Sequence, residues 1–353
     1  MQNATATLRR WTAALFVAGH VWPGAGADVS ATEPAADNGA VVVMYHRFGE
    51  DRYAATNIGL DQFDSHIEEL TSGRYNVLPL PEIVAALAAG RKLPARSLAI
   101  TIDDAFLSVY TQAWPRLREA GLPFTLFVAT EPVDRNYPGY MSWVQLREMV
   151  AAGGVTIAAH GVTHRSMIGQ SMAETRREIA RGRAEIREQL GVTPELFAYP
   201  FGEYGRALRD LVAELGFTAA FGQHSGAIAR TTDRYALPRF PLNESYGDLQ
   251  RFRLVANSLP MPTVDVTPND PLLSAANNPP PYGFTVLEGF GNLERIACYA
   301  IGQTLDIEQL GSRRVEVRLS DAFKPGRNRI NCTLPGPGGR WRWLGRQFYV
   351  PGS

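Results

Sequence analysis

Seven short runs of consecutive apolar residues recur between positions 40 and 221, and their spacing narrows what this chain can become. They are Val41-Val-Val-Met-Tyr45, Val77-Leu-Pro-Leu80, Leu98-Ala-Ile-Thr-Ile102, Phe124-Thr-Leu-Phe-Val128, Val155-Thr-Ile-Ala158, Leu196-Phe-Ala-Tyr199 and Phe217-Thr-Ala-Ala-Phe221. A strand with one wet face alternates apolar and polar residues; these runs do not, so they predict strands buried on both faces of a parallel sheet. Helical segments fill the intervals. Leu60, Phe63, Ile67 and Leu70 form one helical stripe, and Ser142-Trp-Val-Gln145 and Ser171-Met-Ala-Glu174 match the capping-box pattern. Gly121, Gly153 and Gly191 suit helix C-termini. Repeated βα units of this kind predict an α/β fold, a distorted (β/α)7-type barrel.

In such a barrel the chemistry gathers at the C-terminal ends of the strands. Tyr45-His46, Asp103-Asp104, His160 and Tyr199-Pro200 all fall at those ends. Two adjacent carboxylates repel unless a cation, protons or water compensates. His160 and His164 lie four apart, close enough to face one cation, and with one carboxylate they form a His₂Asp ligand set that leaves a fourth position open. The simpler readings are an Asp N-cap at a strand-to-helix turn and a chance pair among six histidines. The shared strand-end position favours a metal site. Asp104, His160 and His164 are then the expected ligands, Asp103 the general base, and His46 the acid for the leaving group.

The chain has 353 residues, enough for two domains, and 35 basic residues balance 35 acidic ones. No global field argues for nucleic acid or an anionic membrane. Residues 1–27 carry Arg9-Arg10, an apolar stretch from Trp11 to Val21 and the small-x-small Ala25-Gly26-Ala27, which reads as a signal peptide. His20 belongs to it. The stretch is short for a membrane span, so no stable span is expected after cleavage, and the protein is expected in the periplasm or outside the cell. Residues 28–39 read as a flexible segment, 40–259 as the barrel, 260–281 as a linker containing seven prolines, and 282–353 as a small β-sandwich. The sandwich rests on the period-two pattern Arg314-Val-Glu-Val-Arg-Leu319 and on turn signals. The two cysteines, Cys298 and Cys332, are expected to form a disulfide whose loop closure contributes about 3 to 4 kcal/mol.

Thr101-Ile-Asp-Asp104, His160-Gly-Val-Thr-His164 and Phe197-Ala-Tyr-Pro-Phe-Gly202 together resemble the motifs of the polysaccharide deacetylases, carbohydrate esterase family four or the NodB-homology domain. The resemblance covers roughly residues 40–250. It implies a divalent metal, usually zinc, on Asp104, His160 and His164, Asp103 as base, and the Tyr199 N–H as oxyanion donor. Met44-Tyr-His-Arg47 is similar to the subgroup that deacetylates poly-N-acetylglucosamine, in which the acid histidine lies near the N-terminus, again His46. Implied with it are an acetylated polysaccharide substrate and other exopolysaccharide machinery as partners. Four positions depart from the family pattern: Ala105 replaces Gly, Gly161 replaces Ser or Thr, Ala198 replaces the Arg of R-x-P-Y, and Leu237-Pro-Arg-Phe240 stands where Leu-x-His is common.

The lost histidine makes His224 an alternative acid, or else a polar loop residue. Tyr45, Tyr199 and Pro200 are candidate sugar contacts or packing residues, and His66 reads as a solvated helical residue. Trp341 and Trp343 share one face of a strand, in the sandwich core or against a sugar. The expected reaction is hydrolysis of N-acetyl groups on a glycan. An O-acetyl esterase on the same site and a catalytically silent glycan-binding protein are the alternatives.

Overall fold

The computed structural model describes residues 38–352. The expected signal peptide, with His20, and most of the 28–39 segment lie outside the described residues. Among the described residues no helix is long and apolar enough to cross a membrane.

A curled nine-stranded sheet forms the barrel. Its main path runs Ala227–Ala229, Gly39–Tyr45, Ser97–Asp103, Phe124–Val128, Val155–Ala159, Leu196–Ala198, Ala219–Phe221. From Gly39–Tyr45 onward the pairs are parallel, with Tyr45 opposite Ile102, Asp103 opposite Phe127 and Val128 opposite Ala159. That register brings the residues after each strand to one rim. Alternate side chains explain why both faces are apolar. Val41, Val43, Tyr45, Ile100 and Ile102 pack toward the outer helices, whereas Ala40, Val42, Ala99, Phe127, Ala158 and Phe221 share a second, inner cluster. The inner cluster is rich in alanine because little room remains inside a small barrel.

The helices begin where the caps predict. Ser142 opens Trp143–Ala152 and Ser171 opens Met172–Leu190, each accepting from the N3 amide. Gly121, Gly153 and Gly191 all have positive φ beyond helix ends. Val77-Leu-Pro-Leu80 is different: only Asn76–Val77 pairs as strand, and a helix starts at Leu80 with Pro81 in its first turn. Pro lacks an N–H but fits the start of a helix, so the run divides there.

Barrel closure involves a segment with little regular structure. Leu237 bridges to Phe221 at one edge, and Phe240–Pro241 pairs with Val43–Met44 at the other. Arg239 lies between these two attachments.

Two four-stranded sheets make the C-terminal sandwich. One contains Leu259–Pro260, Trp341–Val350, Gly326–Pro335 and Ala297–Ala300; the other contains Thr263–Thr267, Tyr282–Val286, Arg314–Leu319 and Leu305–Leu310. Tyr282, Phe284, Val315, Val317, Ile330 and Phe348 meet between them. The expected 260–281 linker is therefore corrected, since it supplies strand residues to both sheets. Its prolines sit mainly at strand ends, where no ladder N–H is needed. Cys298 and Cys332 are opposite one another on neighbouring strands and form the disulfide.

Trp341 and Trp343 do share a face, but it looks away from the sandwich core. Trp343 packs edge-on against Phe240 of the barrel at 5.2 Å, and Trp341 is 39% exposed.

Candidate active site

The strand Ser97–Asp103 ends in a sharp turn, with Asp104 at φ +61°. Asp tolerates this left-handed region better than most residues. The turn separates the two carboxylates. Asp103 stays with the strand and is fully buried, while Asp104 turns toward His164, its Oδ1 3.3 Å from Nε2. His160 Nε2 is 3.9 Å from the same oxygen.

His160 follows the strand Val155–Ala159, and its Nδ1 donates to the Ala198 carbonyl at 2.7 Å. That bond leaves Nε2 as the lone-pair nitrogen, and this atom is buried without a hydrogen-bond partner. Burial lowers the His160 pKa to about 4, although Asp103 pulls the other way. A neutral imidazole is the form that binds metal. One ligand atom from each of Asp104, His160 and His164 lies within 4.8 Å of the others. Two imidazole nitrogens, one of them an orphaned buried acceptor, and one carboxylate oxygen fit a divalent cation such as zinc.

Gly161 explains one departure from the family pattern. Its φ is +79°, and a Cβ there would meet Met167 Cε at 2.9 Å. The helix Met172–Leu190 lies so close that a Cβ on Gly182 would be 2.6 Å from the Gly161 carbonyl oxygen. From the same helix Glu178 accepts from the N–H groups of Val162 and Thr163 at 3.1 and 2.6 Å, fixing the turn that carries His164. No motif pointed to Glu178.

Asp103 has a different environment. Arg239 donates to its two oxygens at 2.5 and 2.8 Å, and Gln223 Nε2 reaches Oδ2 at 3.5 Å. Burial pushes the Asp103 pKa up, but Arg239, His160 and His46 outweigh it and hold the carboxyl well below its usual range. Arg239 is itself fully buried, with Nε donating to the Gly222 carbonyl at 3.0 Å. The signal for Arg239 was available as a coincidence: one motif lacks its arginine at Ala198, and an arginine appears in Leu237-Pro-Arg-Phe240.

His46 follows the first barrel strand, and its Nε2 is 3.8 Å from Asp103 Oδ2, with 15% of the side chain exposed. Burial lowers its pKa, opposed by Asp103 and Asp104.

Four other expectations are corrected. Tyr45 is buried among Phe48 and Phe63, and its hydroxyl donates to His66 Nδ1 at 3.0 Å, so it packs the core instead of facing a sugar. His66 is fully buried, not solvated, with Nε2 donating to the Gly247 carbonyl at 2.8 Å. The Tyr199 N–H donates to the Phe221 carbonyl at 3.0 Å, which commits it to the sheet; Tyr199 and Pro200 are both buried. His224 is buried, and burial with Arg346, Arg329 and Arg239 nearby lowers its pKa to about 3, so it stays neutral and makes a poor acid.

The loop after Tyr199 presents Phe201 to the site. Phe201 has φ +58°, and its ring lies 4.8 Å from that of His164. Residues of the sandwich hold this loop from behind. Arg327 donates to the Phe201 carbonyl at 3.3 Å and Gln347 to the Gly202 carbonyl at 2.6 Å.

The (β/α)-type barrel thus carries a His₂Asp cluster and a separately tethered carboxylate at one rim. Residues 90–220 match the polysaccharide deacetylase family model. Among curated proteins the chain is 24% identical over 257 residues to the poly-beta-1,6-N-acetyl-D-glucosamine N-deacetylase of Escherichia coli strain K12. That match covers 59% of this chain and 37% of the relative, so the chain spans little more than a third of that protein. The protein of the same name from Staphylococcus aureus strain MSSA476 is 22% identical, with 59% and 80% covered. Of solved structures, IcaB from Ammonifex degensii aligns with a TM-score of 0.55 at 27% identity, covering 62% of this chain and 96% of that one. The Streptococcus pyogenes deacetylase PplD, in complex with acetate, aligns with a TM-score of 0.58 at 19% identity, over 62% and 98%.

Proposed function

We propose that the protein hydrolyses N-acetyl groups on a poly-N-acetylglucosamine-type exopolysaccharide, leaving acetate and a free glucosamine amine. The observation that carries this reading is the division of labour between adjacent carboxylates: Asp104 faces two imidazoles, while Asp103 is held ionised by Arg239 beside His46. The relatives and the solved neighbour named for deacetylation support the acyl-group chemistry.

A divalent cation on Asp104, His160 and His164, most simply zinc, would supply Lewis acidity at the acetamide carbonyl and acidify the attacking water. Asp103 accepts a proton from that water. As the C–N bond breaks, His46 delivers a proton to the departing amine nitrogen, and the oxygen of water remains on the acyl carbon as acetate. Since the Tyr199 amide is committed and Pro200 has none, the next amide on the loop, that of Phe201, is our oxyanion donor. Export to the periplasm or medium is part of this reading, supported by Arg9-Arg10 with its following apolar stretch and by the disulfide, which persists in oxidising compartments.

The test compares acetate release from N-acetylglucosamine oligomers and from acetyl-xylan, with and without chelator, using Asp103→Asn as control. Chelator-sensitive release from the oligomers is expected. Release from acetyl-xylan alone would make the protein an esterase, and sugar binding that survives chelation without acetate would make it a binding module.

A further inference from the structure

A second groove, of about 690 Å³, lies where the helices Leu60–Thr71 and Leu249–Ala256 meet the sandwich hairpin around Trp341. Arg96, which lines it, precedes the strand Ser97–Asp103, so the groove and Asp103 sit at opposite ends of that strand. Seven residues at about 3.3 Å each place them roughly 20 Å apart. The groove is outside the site described above.

Arginines predominate on its walls. Arg74, Arg96, Arg251, Arg253 and Arg340 line it, against the carboxylates of Glu69 and Asp248. Buried Glu69 serves two guanidiniums at once, Arg74 at 2.6 Å and Arg253 at 2.8 Å. Arg340 donates to the Asn257 carbonyl at 2.8 Å. Arg251 has no carboxylate within 4.0 Å among the described residues, and its Nε is buried without an acceptor; its neighbours are the rings of Tyr246 and Trp343. A half-buried guanidinium whose Nε lacks an acceptor is costly, and an anion entering the groove would relieve that cost. Arg96 is exposed, has φ +54° and lines the groove.

One wall is apolar. Trp341 is 39% exposed and Leu254 41%, an unusual pairing beside so many guanidiniums. A flat apolar surface next to directional cationic donors suits a ring that is apolar on one face and acidic at its edge. We propose that this groove binds an acidic saccharide segment, its ring stacked on Trp341 and its carboxylate or phosphate held by Arg251 and Arg96. The chain as a whole is neutral and the groove offers a single exposed indole, which fits a few acidic groups better than a polyanionic strand. The proposal does not depend on the chemistry at Asp103.

Calorimetric titration of the full chain tests it with four probes: oligogalacturonate, a neutral N-acetylglucosamine oligomer, inorganic phosphate and a single-stranded oligonucleotide. Oligogalacturonate should bind, more weakly as salt rises, and more tightly than phosphate. Affinity should fall at least tenfold in Arg96→Gln with Arg251→Gln, and likewise in Trp341→Ala, while acetate release from short oligomers stays at the parent rate. Arg96 and Trp341 are exposed, so Arg96→Gln and Trp341→Ala alone carry the test where Arg251→Gln fails to fold. The proposal is overturned by absence of oligogalacturonate binding, by binding that these substitutions leave intact, by phosphate binding as tightly, or by tighter binding of the oligonucleotide.

Discussion

Arg239 and Asp103 form a two-point ion pair, at 2.5 and 2.8 Å, with neither side chain exposed. Arg239 comes from the barrel-closing segment 136 positions along the chain, so closing the barrel and orienting the Asp103 carboxylate are one structural event. A guanidinium fixes a carboxylate in both distance and plane, which a point charge does not.

Arg239→Ala leaves a buried carboxylate without its partner, so we expect a loss of about 3 to 5 kcal/mol of stability and at least a hundredfold fall in kcat. Metal content should match the parent's, because Arg239 does not touch the cluster of Asp104, His160 and His164. Denaturant melts and metal analysis on the same preparation separate these effects. Arg239→Lys retaining full activity would show that charge alone suffices.

Asp103 and Asp104 should fail in different ways. Asp104→Ala is expected to lose metal on dialysis, whereas Asp103→Asn should keep metal and lose turnover. Metal stoichiometry beside acetate release decides it, and equal metal loss in both variants would refute separate roles.

Restoring the family's usual residue at Gly161 should do harm. Gly161→Ser places a side chain at φ +79° against Met167, which we expect to cost about 1 to 3 kcal/mol. Metal affinity should fall too, since the turn carries both histidines. A variant as stable and as metal-competent as the parent would contradict this account.

His66 makes the fold acid-sensitive. Burial lowers its pKa from the ordinary 6.5 to about 4, so the unfolded chain binds the proton more readily. The stabilisation is fully present above pH 6.5 and is lost as pH falls toward 4, amounting to at most about 3 kcal/mol. The midpoint of urea unfolding should drop across that interval. A His66→Leu variant should show a shallower drop; an unchanged slope would assign the acid sensitivity elsewhere.

Removing the disulfide by Cys298→Ser with Cys332→Ser should cost about 3 to 4 kcal/mol, given a separation of 34 residues. The loss should appear as a lower thermal midpoint for the sandwich region. No change would mean that the pairing of the two strands already restrains the unfolded chain's choices.

Strands and helices were legible wherever one local signal ruled: continuous apolar runs, Ser caps, glycines past helix ends. The clustering of Asp104, His160 and His164 was legible because these residues sit beside such strands. Arg239, Glu178 and Phe201 were harder, since each acts through a contact that local pattern does not encode. Tyr45 and His66 were misread for the opposite reason. A strand-end tyrosine and a helical histidine look available for solvent until their mutual hydrogen bond is seen. The 260–281 segment misled through its prolines, although Thr263-Val-Asp-Val-Thr267 already alternates as a strand should.

The edge-on contact between Phe240 and Trp343 has a consequence for the order of biogenesis. The residue after Arg239 rests on a tryptophan synthesised 103 positions later, and Gln347 holds Gly202 from an equally late strand. A nascent chain that has completed every barrel strand still lacks the supports behind Asp103 and the Phe201 loop. The rim around Asp103 and Phe201 would therefore be fully supported only after the sandwich docks, so that synthesis of the barrel runs ahead of completion of the site.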